Sequence, residues 1–203
     1  MATKQGGADD KSNELRKMWF KQMLAMYPPG RMIDLGAGHG LFSTMAADAG
    51  WQVTAVDARG DRYPSDDRVD WRVEDIRKTS LDGYDLVACL GLFYHLTIDD
   101  QLDLLKRCQG LPIILDTHVA NDRRSPFTLS DEVILHGYRG KLFREELDAS
   151  TASWENEESF WPRPRSMYRM LDDHGYNVMA AVPWYIPTRT FWLCVPREPR
   201  NRG

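Results

Sequence analysis

The 203-residue sequence has little cysteine, little excess charge and no long apolar run. Its three cysteines, Cys89, Cys108 and Cys194, are far apart and show no metal-type pairing, which argues against a disulfide framework or a zinc site. No apolar run has the length of a membrane span, and a net charge of -4 gives no overall attraction to nucleic acid or anionic membranes. A Gly-x-Ser-x-Gly nucleophile elbow is also missing, which disfavours a hydrolase. We therefore expect a cytoplasmic protein with reduced thiols, no bound metal and no membrane contact.

The distribution of polar and apolar residues predicts one domain with two mobile ends. Residues 1–12 are polar and contain a Gly-Gly pair, which is typical of a mobile leader, and residues 197–203 form a polar, partly basic tail. Between them, residues 13–196 alternate predicted strands and helices, the pattern of an α/β fold with a parallel sheet. Residues 119–163 interrupt that alternation and are predicted to be an insertion after the fifth strand.

A strand, a glycine-rich turn and a helix follow one another near the start of the predicted domain. Residues 32–35 form a short apolar run typical of a buried strand, and apolar residues at helical spacing begin at Leu41. The turn between them has the pattern Asp-x-Gly-x-Gly-x-Gly, formed by Asp34, Gly36, Gly38 and Gly40. Because glycine leaves no side chain between the backbone and a ligand, this turn indicates a nucleotide-type pocket at the carboxyl end of a strand.

The spacing of the glycines indicates which kind of nucleotide would bind. A dinucleotide fingerprint needs Gly-x-Gly-x-x-Gly, and Leu41 occupies the position of its third glycine. The carboxylate of Asp34, two residues before the first glycine, would repel a pyrophosphate and attract an ammonium group directly or through a water. The pattern therefore disfavours a nicotinamide oxidoreductase.

With this motif the sequence resembles the class I S-adenosylmethionine (SAM) dependent methyltransferases. The resemblance implies a seven-stranded, mostly parallel, Rossmann-like sheet with helices on both faces and an antiparallel hairpin at the C-terminus. It implies SAM as the cofactor and S-adenosylhomocysteine as the product. It also implies that Asp34 faces the methionine amino group, while Gly36, Ala37, Gly38 and Gly40 line the cofactor site.

Three later segments have the order and position of further cofactor contacts. Asp57 ends the second predicted strand, 19 residues after Gly38, where an acid and the following Ala58 lie beside the cofactor ribose. In the resembled family, Asp75 and Ile76 would then contact the adenine. Leu90 and Gly91, at the end of the fourth predicted strand, would lie beneath the cofactor sulfur.

The acceptor side is predicted from residues at the tips of the fourth and fifth strands and from the insertion at 119–163, where the resembled family carries acceptor-recognition elements. Trp154, Phe160 and Trp161 of that insertion would form a substrate wall or would only cover the sheet edge. Tyr94, His95 and His118 are the aromatic and titratable groups nearest the methyl group in the resembled fold, and either histidine could act as a base for a hydroxyl acceptor. The Leu-Phe-Tyr-His string at 92–95 also resembles the wobble-uridine carboxymethyl transferases of tRNA, although Leu96-Thr97 follows here instead of the arginine of that family.

The resulting hypothesis is methyl transfer to an oxygen or nitrogen of a small molecule. An RNA acceptor, or a non-catalytic SAM-binding module or partner subunit, remains an alternative. A basic surface formed by Arg123, Arg124, Arg163 and Arg165 at the mouth of the pocket would favour RNA.

Overall fold

The structure, a computed structural model, describes residues 6–122, 125–146, 154–183 and 186–200, with side chains from residue 13 onward. The strands of these ranges are β1 (Arg31–Leu35), β2 (Gln52–Asp57), β3 (Val69–Val73), β4 (Leu86–Leu90), β5 (Ile113–His118), β6 (Glu132–Leu135), β7 (Tyr138–Arg144), β8 (Glu158–Pro162), β9 (Tyr176–Ala181) and β10 (Arg189–Pro196). The α-helices are α1 (Gly6–Leu24), α2 (Leu41–Asp48), α3 (Ile98–Arg107) and α4 (Pro164–Asp173), and short 3-10 turns span Gly60–Arg62 and Phe93–His95.

Seven strands form the main sheet in the order β3-β2-β1-β4-β5-β10-β9. The first five in this order are parallel, and β10 is antiparallel to both of its neighbours. The predicted mostly parallel sheet with a closing antiparallel hairpin is confirmed. The strand order reverses between β1 and β4, so the turns after these two strands diverge and leave a crevice at their carboxyl ends.

The central strands are buried on both faces, and each face has its own core. Met32 of β1 packs into a cluster with α1 and α2, whereas its neighbour Ile33 packs into a cluster with α3 and α4. This alternation is the period-two pattern of a strand, and two covered faces explain why β4 is apolar throughout and why every residue of β5 is buried. The helices therefore cover both faces of the sheet, and the carboxyl tips of its strands carry the predicted site.

The segment predicted as an insertion contains a second, three-stranded antiparallel sheet, β6-β7-β8. The amide of Phe160 on β8 donates to the carbonyl of Leu96, and the amide of Ala120 donates to the carbonyl of Pro162. These bonds attach the small sheet behind the Phe93–His95 turn. The sequence analysis did not predict its strands, because β6 has only four residues and β7 lacks a clear apolar alternation.

Both chain ends differ in part from the predicted mobile segments. Helix α1 begins at Gly6, inside the segment predicted as a leader, and residues 1–5 lie outside the described part. In the tail, the amide of Arg197 donates to Gly175 and that of Arg200 donates to Gly110, so residues 197–200 are attached to the domain. Residues 201–203 lie outside the described ranges. Within those ranges, no helix combines the length and the apolar content required to cross a bilayer.

Candidate functional site

A cavity of about 610 Å³ lies at the carboxyl ends of β1, β2, β4 and β5. Its volume is within the usual range of small-molecule sites, roughly 300–1,000 Å³. The glycine-rich turn forms one side of it, and the turn after β4 forms another. The cavity is therefore situated where the reversal of strand order predicts a ligand.

The three glycines of the turn have positive φ angles but different surroundings. A Cβ on Gly38 (φ 54°) would meet no atom within 4 Å, and Gly38 lines the cavity. A Cβ on Gly40 (φ 69°) would lie 2.4 Å from Cη2 of Trp71, and Gly40 does not line the cavity. Gly38 thus presents bare backbone to the cavity, as the sequence analysis predicts, whereas Gly40 makes room for a tryptophan.

Asp57, at the tip of β2, is oriented by two backbone donors. The amide of Gly38 donates to Oδ2 and the amide of Arg59 donates to Oδ1, both at 2.9 Å. Each carboxylate oxygen still has a lone pair to offer, and both Asp57 and Ala58 line the cavity. The structure therefore places this pair where a contact with a ribose is possible.

Asp34 is placed differently from the prediction that it faces the ligand. Its side chain lies on the α2 side of β1, is only 1% exposed, and is not part of the cavity wall. Oδ2 accepts from the Ser43 hydroxyl at 2.6 Å, and Oδ1 has no hydrogen-bond partner among the described residues. Burial raises the pKa of Asp34 to about 6, although the bond from Ser43 opposes the shift. Side chains in β1 alternate between the two faces of the sheet. Asp34 is on the face that α2 covers, so it lies beneath the glycine-rich turn and outside the cavity wall.

The predicted adenine segment lines the far end of the cavity. Asp75 accepts from Nε of Arg77 at 2.9 Å, and this bond is the main reason that the pKa of Asp75 is lowered. The same guanidinium lies 2.6 Å from a carboxylate oxygen of Glu155, and the guanidinium of Arg59 lies over the ring of Trp154. Residues 154–156 thereby form a wall opposite the strand tips. The predicted wall residue Trp154 lines the cavity, whereas Phe160 and Trp161 are buried behind it.

Two arginines surround one buried carboxylate beside Leu90 and Gly91. Asp116 is fully buried and accepts two bonds from Arg189, each at 2.7 Å, and a third from Nε of Arg16 at 2.7 Å. Burial alone would raise the pKa of Asp116, but the two guanidiniums lower it below its ordinary value. Because two cations share one carboxylate, this wall keeps a net positive charge. Both arginines line the cavity.

His118, at the tip of β5, is buried and neutral. Its Nδ1 lies 3.0 Å from the Thr188 hydroxyl, and its Nε2 lies 3.3 Å from Nη1 of Arg189. Burial, reinforced by the charge of Arg189, lowers the pKa of His118 to about 3. Both ring nitrogens are therefore engaged, and the ring contributes mainly an apolar face, which stacks on Trp161.

His95 has a different environment from His118. Its Nδ1 lies 2.9 and 3.0 Å from the two carboxylate oxygens of Glu145, whose side chain is 1% exposed. The ring of Tyr94 lies 4.2 Å from that of His95, and burial raises the pKa of Tyr94, which keeps this hydroxyl neutral. Phe127 completes this side of the cavity. The rings of Tyr94, His118 and Phe127 thus surround a compartment beside the His95–Glu145 pair.

The predicted basic surface is described only in part. Arg123 and Arg124 lie outside the described residues. Arg163 is paired with Asp122 at 2.6 Å and with Glu132 at 2.8 Å, and Arg165 is exposed. Among the described side chains, no group of His, Cys, Asp and Glu has the arrangement of a metal site.

Comparison with known proteins agrees with this geometry. Residues 33–111 match a family model described as "Methyltransferase domain". The chain is 30% identical over 110 residues to the ubiquinone biosynthesis O-methyltransferase of Bordetella pertussis, a match that covers 49% of this chain and 45% of that protein. It is 34% identical over 95 residues to the Xanthomonas campestris protein of the same name, covering 41% and 39%. The chain thus spans less than half the length of these curated relatives.

Solved structures resemble the chain over nearly its whole length. The N-terminal domain of EvdMO1, crystallised with S-adenosylhomocysteine (SAH), has a TM-score of 0.65 at 21% identity and covers 88% of this chain and 80% of that one. The 1,6-didemethyltoxoflavin-N1-methyltransferase of Burkholderia thailandensis has a TM-score of 0.60 at 14% identity, with coverages of 94% and 86%. The chain has the class I methyltransferase fold.

Within the methyltransferase fold, the predicted residues gather at one cavity with two exceptions. The predicted residues that line it are Gly36, Ala37, Gly38, Asp57, Ala58, Asp75, Ile76, Leu90, Gly91, Tyr94, His95 and His118. Asp34 and Gly40 do not line it. The sequence analysis missed four residues that shape the site: Arg16, Phe127, Glu145 and Arg189. No local motif marks these four, because each comes from a distant part of the chain. Arg16, Phe127 and Arg189 line the cavity, and Glu145 contacts His95.

Proposed function

We propose that this protein is a SAM-dependent methyltransferase that transfers a methyl group to an oxygen or nitrogen of a small molecule. The observation that carries the proposal is that one cavity combines the glycine turn and strand-tip acids of a SAM site with an adjoining compartment of rings. The bound cofactor supplies a methyl group that its sulfonium already activates. The protein's own residues then have to bind, align and exclude water, and alignment alone can contribute roughly 7–11 kcal/mol.

In this proposal the cofactor is held from its two ends. Asp57 accepts the ribose hydroxyls, while Asp75 and the backbone of Ile76 bind the adenine. Open backbone at Gly38 allows close approach, which fits the absence of any atom where a Cβ would stand. The methionine end lies by Leu90 and Gly91, and the nearby net positive wall suits its carboxylate. Asp34 acts through the turn that it supports, by its bond to Ser43.

A small-molecule acceptor has more support than RNA. The named relatives are methyltransferases of ubiquinone biosynthesis and of didemethyltoxoflavin, which are small-molecule reactions by name. The guanidinium of Arg163 is already paired with two acids, so it adds little to a phosphate-binding surface. A non-catalytic module has less support, because the cavity continues past the cofactor residues to Tyr94, His95 and His118. We also propose a cytoplasmic location, since the three cysteines are buried free thiols that suit a reducing compartment. A single domain remains our proposal for residues 13–196.

Calorimetry with SAH tests the cofactor site. We expect the wild-type chain to bind SAH, and Asp57→Ala to weaken binding about 10- to 100-fold, because two hydrogen bonds to a charged acceptor are lost. Asp61→Ala is the matched control, since Asp61 is an exposed acid that does not line the cavity. Absence of SAH binding by the wild-type chain would refute the proposal.

Transfer of labelled methyl groups tests the choice of acceptor. The protein is incubated with isotopically labelled SAM and either a metabolite extract or purified total RNA. We expect label in the metabolite fraction. Label in RNA, with binding that weakens steeply as salt rises, would favour the nucleic-acid alternative.

A further inference from the structure

The histidine–glutamate pair beside the acceptor compartment has the structure of an oriented base. Nδ1 of His95 lies 2.9 Å from Oε1 of Glu145, and that carboxylate also accepts from the Ser159 hydroxyl at 2.7 Å. The amide of Glu145 donates to the carbonyl of Glu157 at 2.9 Å. Glu145 is thus fixed by its side chain and by its backbone, and it fixes the imidazole in turn.

A buried carboxylate at Nδ1 determines which nitrogen of His95 carries the proton. The carboxylate accepts a hydrogen bond, so the neutral ring carries its proton on Nδ1 and presents a lone pair at Nε2. His95 lines the cavity, and no described residue bonds to Nε2. If Nε2 takes up a proton, Glu145 stabilises the imidazolium that results, as the acid does in a serine-protease triad.

This arrangement distinguishes between acceptor classes. An amine acceptor brings its own lone pair, whereas a hydroxyl must lose a proton to become a strong nucleophile. We propose that the acceptor group is a hydroxyl, that His95 takes its proton at Nε2, and that Glu145 is the positioning residue for that base. The inference rests on the proposed function and specifies its substrate class. In the step, the O–H bond breaks and its proton goes to Nε2. The oxygen forms a bond to the methyl carbon, and the electron pair of the broken carbon–sulfur bond stays on sulfur.

The neighbouring groups cannot replace His95 as the base. Nε2 of His118 faces the guanidinium of Arg189, and its Nδ1 faces the Thr188 hydroxyl. The pKa of His118, lowered by burial to about 3, also makes it a poor proton acceptor at neutral pH. Tyr94 is neutral, since burial raises its pKa.

The pH dependence of transfer therefore reports on the His95–Glu145 pair. The titratable groups that face His95 are Glu145 after β7, Tyr94 in the same turn and His118 on β5, while Asp100 on α3 and Glu155 line the same cavity. Tyr94 and His118 stay neutral across the working range. A rise of kcat with pH that reaches a plateau is the expected wild-type profile.

The first experiment identifies the atom that is methylated. The wild-type protein is incubated with SAM carrying a 13C-methyl group, with a metabolite extract and with matched pairs of small aromatics that differ only in a hydroxyl or an amino group. Aromatic probes are chosen because Tyr94, His118 and Phe127 form the compartment walls. We expect the labelled carbon on oxygen, recognised by its NMR shift. A methyl group on nitrogen or carbon would overturn the inference.

The second experiment asks whether His95 acts chemically. With a methylated hydroxyl substrate, His95→Gln should lower kcat about 100-fold or more, and Glu145→Gln about 10-fold or more, with KM nearly unchanged. The loss in His95→Gln should shrink below about 10-fold for an analogue whose hydroxyl is already ionised, since no base is then needed. Asp99→Asn is the matched control, because it removes the carboxylate of an exposed histidine–acid pair, His136–Asp99, outside the cavity wall.

The outcomes separate this inference from the proposed function. Binding of SAH with methylation at nitrogen would overturn the hydroxyl assignment and leave the methyltransferase intact. Equal losses with ionised and neutral substrates would show that His95 is structural and would overturn its role as base. No SAH binding, or binding without any transfer, would refute the proposed function itself and this inference with it.

Discussion

Two glycines of one turn offer a test of how the cofactor site is built. Gly38 and Gly40 have similar backbone angles, φ 54° and 69°, but only Gly38 borders the cavity. Alanine at either position has to adopt a left-handed conformation, which costs roughly 1–2 kcal/mol. The two substitutions therefore share one backbone penalty and differ in what the added methyl group meets.

At Gly40 the methyl group meets a ring that cannot move freely. The new Cβ would lie 2.4 Å from Cη2 of Trp71 and 3.0 Å from Cδ of Pro64. The indole is held by its Nε1 bond to the carbonyl of Asp66 at 2.9 Å and by contact with the ring of Tyr63. Overpacking of this kind costs typically about 1–3 kcal/mol. Gly40→Ala should thus lose about 2–5 kcal/mol of unfolding free energy and Gly38→Ala about 1–2 kcal/mol.

Thermal unfolding and SAH titration measure the two effects separately. For a chain of this size, Gly40→Ala should melt about 2–12 °C below Gly38→Ala in the absence of ligand. The order reverses for binding, because the Gly38→Ala methyl group enters the cavity. We expect SAH affinity to fall about tenfold or more in Gly38→Ala and to stay within about threefold in folded Gly40→Ala.

A double mutant checks that the ring is the cause. Trp71→Leu removes the indole, so Gly40→Ala should cost about 1–3 kcal/mol less in that background than in the wild type. Equal melting temperatures for the two single variants, or a loss of SAH binding in Gly40→Ala alone, would refute the assignment of packing to one glycine and cofactor approach to the other.

Two further predictions concern buried acids. Asp116→Asn leaves the guanidiniums of Arg16 and Arg189 without their counter-charge, so it should lower the unfolding free energy measured in urea by about 3–5 kcal/mol. The control Asp103→Asn, in an exposed pair with Arg107, should lower it by less than about 1 kcal/mol. A similar small loss in both variants would contradict the buried-charge argument. For Asp34, whose pKa is about 6, the native state keeps a proton that the unfolded chain releases near pH 4. The unfolding free energy should therefore fall by roughly 2 kcal/mol from this group as pH rises from 4 to 7, and Asp34→Asn should flatten the pH dependence in that window. An unchanged slope would show that Asp34 titrates normally.

The residues proposed to bind the cofactor could be predicted to lie together, because their signals are local. The glycine turn and Asp57 depend on short spacings within a strand–turn–helix unit, and the sheet follows from apolar strands at regular intervals. The exceptions have a physical reason. Nothing local distinguishes Gly40, whose neighbour Trp71 is on another strand, from Gly38. Likewise, the face of β1 to which Asp34 points depends on how α2 packs.

Tyr94, His95 and His118 on the acceptor side could be predicted from their positions at strand tips, but the residues around them could not, because distant segments supply those residues. Arg16 reaches Asp116 across 100 positions, and Glu145 reaches His95 across 50. A single Glu in a polar stretch, or a single Arg on an amphipathic helix, has no sequence signature of such a partner. The strand that ends just before Glu145, β7, also lacks a clear strand period.

The family match covers the proposed cofactor side of the cavity but only part of the acceptor side, so it does not identify the acceptor. The family match covers residues 33–111 and ends before β5, so it includes the glycine turn, Asp57, Asp75 and the turn that carries His95. Phe127 and Glu145 lie beyond it, and both belong to the segment that forms the small sheet and its connections. Proteins that share the matched region can therefore bind the same donor and methylate unrelated acceptors, since the groups that hold a base or shape the compartment vary independently of the donor site. For this chain the acceptor class has to be argued from its own residues, and the buried Glu145 on Nδ1 of His95 is the contact that favours a hydroxyl.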